Sequence, residues 1–561
     1  MRKTAYENGV SLRAYAGTTG VLLAMNVEPH KRDGLLGFAI ERRRGHFKHP
    51  QWLTGGLTFP GMPHEAGAPV PTNKGPIQWF RWSDYRVYPD TEYEYVVHPV
   101  YGEPGRLEVQ DGPALTVTTQ SVHGSEHAVL FNRAAAASQA FSKKFPEVEA
   151  ELEAARRARR EPDPLPPAAL AWLSRGVLEQ IVGFIEQAAD ETWALDIAIY
   201  EYELEEIVSA VNAAHARGAN VRVVYHARRG DEQTKHNEQA LVGLPAEAKR
   251  ARVTSKICHH KFIVLSRVSA GVREPQAVLC GSTNFTHNGV YRQANVVHVV
   301  SRQDVARQYL QLFDVLFAGE NVSGTRRHIG THNPFGPPQP LFAGFSPRSG
   351  GADLEAFAAL VQEATRDVLF CTAFDLYDGL EDALLGEAGD PILRYGLQNR
   401  RSRITGVHRD RTADFAATAM LASGLEGFLK ESTKGQRGNI LIHTKLIIVD
   451  FTSDSPTVIS GSHNFSRSAS EGNDENFLIV RGNTDVADAY GCELMRLYDH
   501  YRFRSHRNNS GRGQRRIALR SDDSWTDRYF EWGSLEESDR LRFASHGGSP
   551  SSVEGDTAAA L

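Results

Sequence analysis

The chain has 561 residues, of which 41% are apolar and 23% charged, with a formal net charge of −5. This length predicts about three to four domains, and the composition is that of an ordinary globular protein. The small net charge excludes recruitment of nucleic acid or an anionic membrane by a global electrostatic field. The four cysteines are scattered without a C-x-x-C pair, which argues against a disulfide framework.

Targeting signals are not apparent in the sequence. The first residues are not followed by the apolar segment of a signal peptide. No run approaches the roughly 18 apolar residues that a membrane span requires. We therefore expect a cytoplasmic location.

Residues 1–121 show the pattern of short β-strands separated by Gly and charged turns. Strands at this spacing predict an all-β sandwich. The alternating run from Thr91 through Tyr93 and Tyr95, just after Pro89, resembles the tyrosine-corner region of fibronectin type III domains. That resemblance implies a binding or spacing module with a protein or glycan partner. The predicted strands are 11–15, 21–27, 35–42, 91–97 and 114–119.

Residues 122–169 are predicted to form a helical linker, because 132–160 is rich in Ala, Glu and Arg and a Pro-rich segment then interrupts it. Beyond it the pattern alternates between β and α and occurs twice, over 170–330 and 331–505. Such alternation predicts an α/β fold with mixed sheets flanked by helices, as two similar units packed together. Predicted elements are strands 193–200, 221–225 and 368–374, and helices 204–216, 354–364 and 380–385.

The final segment, 506–561, is predicted to be basic and then flexible. Seven Arg residues lie within 501–520, and the last dozen residues are rich in Ser, Gly and Ala. The basic stretch could contact phosphate groups of nucleic acid or lipid. A solvated surface tail is the alternative.

Two stretches of the chain repeat the same pattern. A His-x-Lys triplet opens an apolar strand-like run at 259–261 and again at 443–445, and Gly-Ser-x-Asn-Phe follows at 281–285 and at 461–465. Because residues i and i+2 of a strand share a face, each copy can present His and Lys beside Ser and Asn of a neighbouring strand. Two such edges facing each other could hold a phosphodiester and attack it.

These segments resemble the paired H-x-K-x4-D and G-S-x-N-F motifs of the phospholipase D superfamily. The second copy matches in full, including Asp450, whereas the first has Ser266 in place of the Asp. The resemblance covers about 170–505. It implies a pseudo-twofold arrangement of two α-β-α halves with the active site at their seam, and a covalent phosphohistidine intermediate.

The resemblance also implies roles for individual residues. The downstream residues Glu475 and Asn295 would orient the histidine of the opposite half, so that Glu475 serves His259 and Asn295 serves His443. This favours His259 as nucleophile and His443 as general acid/base, with the reverse assignment as the alternative. The implied catalytic residues are His259, Lys261, His443, Lys445 and Glu475, the phosphate-binding residues Ser282, Asn284, Ser462 and Asn464, and the structural residues Asp450, His260 and His463.

No metal-ligand spacing such as H-E-x-x-H accompanies the motifs, so we expect no cofactor and activity that resists chelators. A nucleic acid is favoured over a phospholipid as substrate, since arginine pairs at 228–229 and 400–401 could form a local basic surface. Hydrolysis or transfer of phospholipid head groups is the first alternative. A non-catalytic binding scaffold is the second.

Overall fold

The structure is a computed structural model that describes residues 1–44, 49–62, 68–133, 138–418, 441–509 and 518–545. An all-β region comes first, and two large mixed sheets flanked by helices follow. The predicted mixed α/β fold class with an N-terminal all-β region is therefore confirmed. One apolar cluster runs from the first large sheet through a long helix to the second large sheet.

The N-terminal region packs two antiparallel sheets around their own apolar cluster. One sheet has the order β1-β2-β3-β8, and the other has β10-β9-β4-β5 with β11 also paired to β9. The strands are β1 Arg2–Glu7, β2 Val10–Ala16, β3 Val21–Val27, β4 Gly37–Arg44, β5 Gln51–Trp52, β6 Thr54–Gly55, β7 Val70–Pro71, β8 Arg81–Asp84, β9 Glu92–Glu103, β10 Arg106–Val109 and β11 Ala114–Thr118.

Tyr93 forms the hydrogen bond expected of a tyrosine corner. The backbone N–H of Tyr88 donates to the Tyr93 hydroxyl over 2.9 Å. A tyrosine that bonds back to the backbone a few residues upstream fixes the corner between two strands of a sandwich. The ring of Tyr93 is buried, so it also contributes to the apolar cluster of this region.

The first large sheet has seven strands in the order β12-β18-β17-β16-β13-β14-β15. Its strands are β12 His127–Phe131, β13 Trp193–Ile199, β14 Asn220–His226, β15 Lys249–Arg252, β16 Lys261–Ser269, β17 Val272–Gly281 and β18 Val296–Val300.

The second large sheet has eight strands in the order β19-β26-β25-β24-β20-β21-β23-β22. Its strands are β19 Leu341–Ser346, β20 Asp367–Thr372, β21 Leu393–Gln398, β22 Gly406–His408, β23 Ala413–Ala417, β24 Leu446–Val449, β25 Thr457–Gly461 and β26 Glu475–Arg481.

The two sheets have the same order strand by strand, apart from the added β22. Their directions agree too, since β13 is parallel to β14 and antiparallel to β16, as β20 is to β21 and β24. The helices are α1 Ser138–Lys144, α2 Pro146–Ala158, α3 Pro167–Ser174, α4 Val177–Glu186, α5 Glu205–Ala216, α6 Glu232–Ala240, α7 Gln303–Phe317, α8 Val322–His332, α9 Ala352–Gln362, α10 Asp378–Leu385, α11 Arg467–Glu471, α12 Thr484–Asn509 and α13 Leu535–Ala544.

Within the described ranges, no single helix is both long and apolar enough to cross a membrane. The pair α3 and α4 reaches that length and composition only together, with a bend of 88° between them.

The segment predicted as a helical linker, 122–169, also contributes a strand. His127–Phe131 forms β12, which pairs with β18 at the edge of the first large sheet. The four apolar residues after His127 show no alternating pattern, and so short a run carries little local information about which element it forms. Their assignment to a sheet depends on the neighbouring strand.

Part of the segment predicted as a flexible tail packs on the N-terminal region. A 3-10 helix, Asp523–Phe530, places Trp525, Tyr529 and Phe530 around Phe80, with ring centroids 5.2, 4.9 and 5.8 Å away. Burial of these aromatic rings stabilises the segment against the sheet. The basic positions 510–517 and the end at 546–561 lie outside the described residues.

The buried guanidinium of Arg81 connects three parts of the chain. It pairs with Asp499 of α12 at 2.7 Å and with Asp539 of α13 at 3.0 Å. We expect Arg81→Ala to lower the free energy of unfolding by about 3–5 kcal/mol, because two carboxylates lose their buried counter-ion. The midpoint of urea unfolding, followed by tryptophan fluorescence, measures the loss.

The control for this prediction is Arg106→Ala in β10, where the side chain is exposed. We expect it to change stability by less than about 0.5 kcal/mol. Equal midpoints for the two variants would show that the buried ion pairs contribute nothing net.

Candidate active site

The strand pairing places both His-x-Lys motifs at equivalent edges. In the first sheet Lys261 is opposite Ile199, so the start of β16 lies at the carboxyl end of β13. In the second sheet Leu446 is opposite Cys371, so the start of β24 lies at the carboxyl end of β20. Each motif therefore opens at the sheet edge where loops after parallel strands also meet, which is where ligands bind in open α/β sheets.

The two edges are joined by a pair of crossed backbone bridges. Cys258 pairs with Asp474, and Ala294 pairs with Ile442. As a result the N–H of His259 donates to the carbonyl of Asp474, and the N–H of His443 donates to the carbonyl of Ala294, both over 2.9 Å. Each histidine therefore lies beside the residue that follows the bridged residue of the opposite half, His259 beside Glu475 and His443 beside Asn295.

A buried ion pair reinforces the first of these bridges. The guanidinium of Arg252 donates twice to the carboxylate of Asp474, with both bonds 2.8 Å long. Arg252 belongs to the first half and Asp474 to the second, and both are buried. A bidentate pair of this kind adds directional specificity to the joining of the halves.

The bridges bring the two imidazoles together, with ring centroids 6.3 Å apart. His259 donates through Nδ1 to Oε2 of Glu475 over 2.7 Å. The Nδ1 of His443 lies 3.0 Å from Oδ1 of Asn295, whose own amide nitrogen donates to the carbonyl of Gly289 over 2.9 Å. Both Nδ1 atoms thus carry the proton, and both Nε2 atoms keep a lone pair.

The serines of the two Gly-Ser motifs orient Glu475 and Asn295. Ser462 donates to Oε2 of Glu475 over 2.7 Å, and Ser282 donates to Oδ1 of Asn295 over 2.8 Å. Both serines are fully buried. Their hydroxyl protons bond the two orienting residues, and the contact of both serines with substrate phosphate stays a prediction.

The buried position and the neighbouring ammonium groups keep both imidazoles neutral. Burial and the charges of Lys261 and Lys445 lower the pKa of His259 well below its usual value. Burial, Lys445 and Lys261 lower the pKa of His443 in the same direction. A neutral imidazole with a free Nε2 is the form that can attack phosphorus.

The two lysines supply positive charge from opposite sides of the site. Each ammonium donates to the backbone carbonyl of its own motif histidine, Lys261 over 2.8 Å and Lys445 over 2.5 Å. Burial lowers the pKa of Lys261 to about 8, and burial together with Lys261 lowers the pKa of Lys445. Both lysines therefore lie where an anion would stabilise their charged form.

The two motif asparagines have different surroundings. The amide of Asn284 donates to Oε2 of Glu201 over 2.5 Å, and its own Oδ1 is buried without a partner among the described residues. The Oδ1 of Asn464 is buried in the same way, and Asn464 is only half-buried as a whole. The sequence interpretation omitted Glu201.

Glu201 has an equivalent in the second half, Asp375. The N–H of Glu203 donates to the carbonyl of Phe285, and the N–H of Tyr377 donates to the carbonyl of Phe465. These matching bonds align the loop after β13 with the loop after β20. A carboxylate two or three residues after each strand is the sequence signal that could have identified it.

Two aromatic rings that the sequence interpretation also omitted flank the histidines. The ring of Tyr200 lies 5.2 Å from His259, and the ring of Phe374 lies 6.5 Å from His443. The ammonium groups of Lys261 and Lys445 lie 5.1 and 5.9 Å from the same two rings. Phe374 is 38% exposed and so borders the entrance.

Asp450 lies at the end of its strand with a positive φ of 55°. Its Oδ1 accepts from the N–H groups of Thr365 and Arg366 over 2.9 and 2.7 Å, which ties the end of β24 to the start of β20. In the first half, Ser266 instead lies inside β16, at an irregularity of its pairing with β17. The strand continues there, so no equivalent tie is formed.

The two remaining histidines of the motif segments, His260 and His463, form hydrogen bonds away from the pair His259 and His443. His260 lies 3.3 Å from the side-chain oxygen of Asn476, and His463 lies 3.1 Å from Asp353. Burial lowers the pKa of His260 to about 4. In the part of the chain that the structure describes, no group of three or more His, Cys, Asp or Glu side chains is arranged to hold a metal ion.

Comparison with known families agrees with this geometry. A family profile described as "Cardiolipin synthase, PLD-like domain" matches residues 181–317 and 402–498. These two segments contain both His-x-Lys and both Gly-Ser-x-Asn-Phe motifs. Over these two segments the chain is therefore similar to a phospholipase D-like domain. No curated protein matches the chain.

Similar solved structures share only part of the fold. They include a phosphatidylserine synthase from Haemophilus influenzae (14% identity, 58% of this chain, 85% of that chain, TM-score 0.41). A polyphosphate kinase from Porphyromonas gingivalis matches at 12% identity over 57% of this chain and 48% of its own, with a TM-score of 0.39. The phospholipase D family member Nuc from Salmonella typhimurium matches at 21% identity over 24% of this chain and 82% of its own, with a TM-score of 0.20.

Nδ1 of His259 has a carboxylate partner and Nδ1 of His443 has an amide partner, so exchanging the partner type should shift the two pKa values in opposite directions. We expect Asn295→Asp to raise the pKa of His443 by about 1 or more, because a carboxylate would replace an amide at Nδ1. Glu475→Gln should lower the pKa of His259 for the converse reason. NMR titration of labelled histidine ring protons measures both pKa values, and unchanged values would show that burial and the lysine charges set them without the Nδ1 partners.

Proposed function

We propose that this protein is a phosphodiesterase of the phospholipase D type that works through a covalent phosphohistidine. The observation that carries the proposal is the pair of imidazoles, with centroids 6.3 Å apart and with each Nδ1 bonded to a residue of the opposite half. Two ammonium groups in the same space compensate the charge of a bound phosphodiester. Distant parts of the chain supply these four groups, so their convergence is not a local accident.

In the first step the Nε2 lone pair of His259 attacks phosphorus and forms an N–P bond. The bond from phosphorus to the leaving oxygen breaks, and its electron pair leaves with that oxygen. His443, protonated once the anionic substrate raises its basicity, gives its Nε2 proton to the leaving oxygen. Lys261 and Lys445 stabilise the charge on the non-bridging oxygens.

In the second step His443 is neutral and takes a proton from water. The water oxygen bonds to phosphorus, and the N–P bond to His259 breaks with its electrons returning to Nε2. The partners support this assignment, because Glu475 stabilises the positive charge that phosphorylation places on His259. Asn295 gives His443 no such charge, so His443 can lose its proton readily between steps.

We propose a nucleic acid as the substrate, on the basis of two exposed arginine pairs. Arg228 and Arg229 follow β14, and the guanidinium of Arg228 donates to the carbonyl of Lys256 over 3.4 Å, three residues before His259. Arginines of this kind bind backbone phosphates on either side of a reacting bond.

The second pair follows β21 in the equivalent position. Its neighbour Asn399 donates to the carbonyl of Ile442, the residue before His443, over 2.6 Å. Arg400 and Arg401 are exposed beside this contact. The rings of Tyr200 and Phe374, which lie beside the two histidines, offer surfaces on which bases can stack.

The second candidate function is hydrolysis or transfer of phospholipid head groups. It is favoured by one observation, the description of the matching family profile as a cardiolipin synthase domain. The same two-step chemistry would serve it, with an alcohol in place of water as acceptor. The fibronectin-like character of the N-terminal region, its protein or glycan partner and a cytoplasmic location are further proposals, the first supported by the Tyr93 contact.

The division of roles between the histidines predicts a trapped intermediate. With bis-p-nitrophenyl phosphate, His443→Asn should give a stoichiometric burst of p-nitrophenolate and then slow about 10²–10⁴-fold, because this leaving group needs no acid but the second step needs a base. His259→Asn should give no burst. Absorbance at millisecond resolution and the mass of the phosphorylated His259 peptide, in the presence of EDTA, measure this.

The outcomes of this experiment separate the alternatives. A burst with His259→Asn and none with His443→Asn would reverse the two roles. Steady turnover by the unaltered chain without a burst in either variant would contradict a covalent intermediate, and no turnover of any diester would favour a scaffold.

The substrate proposal predicts a salt-dependent role for the arginine pairs. Arg228→Gln/Arg229→Gln and Arg400→Gln/Arg401→Gln should each raise KM for a single-stranded oligonucleotide and lower the slope of log KM against log salt by about 0.7 per lost phosphate contact. The effect on bis-p-nitrophenyl phosphate should be much smaller. Arg86→Gln/Arg106→Gln, two exposed arginines of the β region, is the control. Turnover of phosphatidylglycerol vesicles but of no oligonucleotide would overturn the proposal.

A further inference from the structure

The carboxylate of Glu201 accepts a hydrogen bond from the amide of Asn284, one of the two motif amides that are proposed to bind the substrate phosphate. Its Oε2 accepts the Asn284 amide over 2.5 Å. The equivalent carboxylate of the second half, Asp375, is exposed, and no such bond joins it to Asn464 among the described residues. The site therefore has a carboxylate inside its anion-binding space on one side only.

The groups that face Glu201 make it part of the charge balance of the site. Burial raises the pKa of Glu201, and the ammonium of Lys261 opposes that rise. The charge of Glu201 also opposes the lowering of the Lys445 pKa. The charged and hydrogen-bonding groups around it are Lys261, Lys445, Glu203, Gln233 and Asn284.

These charges balance for one kind of ligand. The site places Lys261 and Lys445, together with Glu201 and Glu475, around the two imidazoles. Counted as two ammonium groups, two carboxylates and two neutral rings, these side chains carry no net charge before a ligand binds. A monoanionic phosphodiester together with the proton that His443 needs leaves the site neutral. A dianion adds a buried negative charge without a partner, which is costly at low dielectric.

We propose that Glu201 determines specificity as a charge filter, which admits monoanionic phosphodiesters and disfavours dianionic phosphomonoesters and inorganic phosphate. This inference rests on the proposed phosphodiesterase function. It also accounts for product release, because hydrolysis of a diester yields a monoester whose second ionisation has a pKa of about 6. Once that proton is lost, the carboxylate of Glu201 repels the product and again accepts the hydrogen bond from the Asn284 amide.

The test compares Glu201→Gln with the unaltered chain and with Asp375→Asn as the matched control. Calorimetry gives the Kd of inorganic phosphate and of bis-p-nitrophenyl phosphate, the latter on a His259→Asn background. We expect Glu201→Gln to tighten phosphate binding about tenfold or more, to change diester binding less, and Asp375→Asn to change neither. Glu201→Ala, which also removes the charge, provides a second variant if the Gln variant does not fold.

A second readout separates a charge effect from a structural one. Glu201 favours the ammonium form of Lys261, whose pKa is about 8. Its removal should therefore move the alkaline limb of kcat/KM to lower pH, whereas simple loss of packing would leave the limb in place.

The inference is overturned if Glu201→Gln leaves phosphate binding unchanged or weakens it. Because binding is measured directly, this result is distinct from failure of the proposed function, which would appear as no turnover of bis-p-nitrophenyl phosphate by the unaltered chain.

Discussion

The crossed pairing of the two halves is the constraint on which the site depends. Cys258 bridges to Asp474 and Ala294 bridges to Ile442, so the backbone before each histidine is hydrogen-bonded to the backbone before the opposite orienting residue. The residue that bonds Nδ1 of each motif histidine belongs to the opposite half. Glu475 can meet His259 within 2.7 Å only because these bridges fix the register between two separate sheets. Arg252 adds a buried ion pair to the same junction, which favours one mutual position of the halves.

Burial of this junction also explains the electrostatics. In water, two ammonium groups and two carboxylates would interact weakly and independently. In the seam they share a region of low dielectric, so each pKa depends on the others. Lys261 is shifted to about 8 and both imidazoles are held neutral before any ligand arrives. In the proposed mechanism, an anion that binds here stabilises the charged lysines and allows His443 to take up the proton that the first step consumes.

Local patterns made much of the fold and the centre of the site predictable from sequence. The strands of the N-terminal region and the β-α-β units showed clear periodicity, and the two His-x-Lys motifs carry their own geometry because i and i+2 share a face. The pairing of His259 with Glu475 followed from the resemblance to a family. Glu201 did not follow from that resemblance, because the bridge between Tyr202 and Phe285, which aligns the loop after β13 with the loop after β17, is what brings Glu201 to Asn284. The aromatic residues Trp525 and Phe530 were likewise not recognised, because the surface they bury comes from Phe80, more than four hundred residues earlier in the chain.

The two halves share one strand order but differ in the side chains around their histidines. These differences suit different roles for the two histidines. Glu475 corresponds to Asn295, and the half-buried Glu201 to the exposed Asp375. Glu475 bonds His259 and Glu201 bonds Asn284, so both of these carboxylates bond residues of the first half. A carboxylate at position 295 would add the desolvation cost of a further buried charge. It would also raise the basicity of His443, which would then hold its proton and serve poorly as the base for water. An amide at that position fixes the tautomer without adding charge, because Gly289 and Ser282 already determine which way Asn295 points. In the proposed mechanism, a duplicated scaffold therefore needs only a few unequal residues to separate a nucleophile from an acid/base.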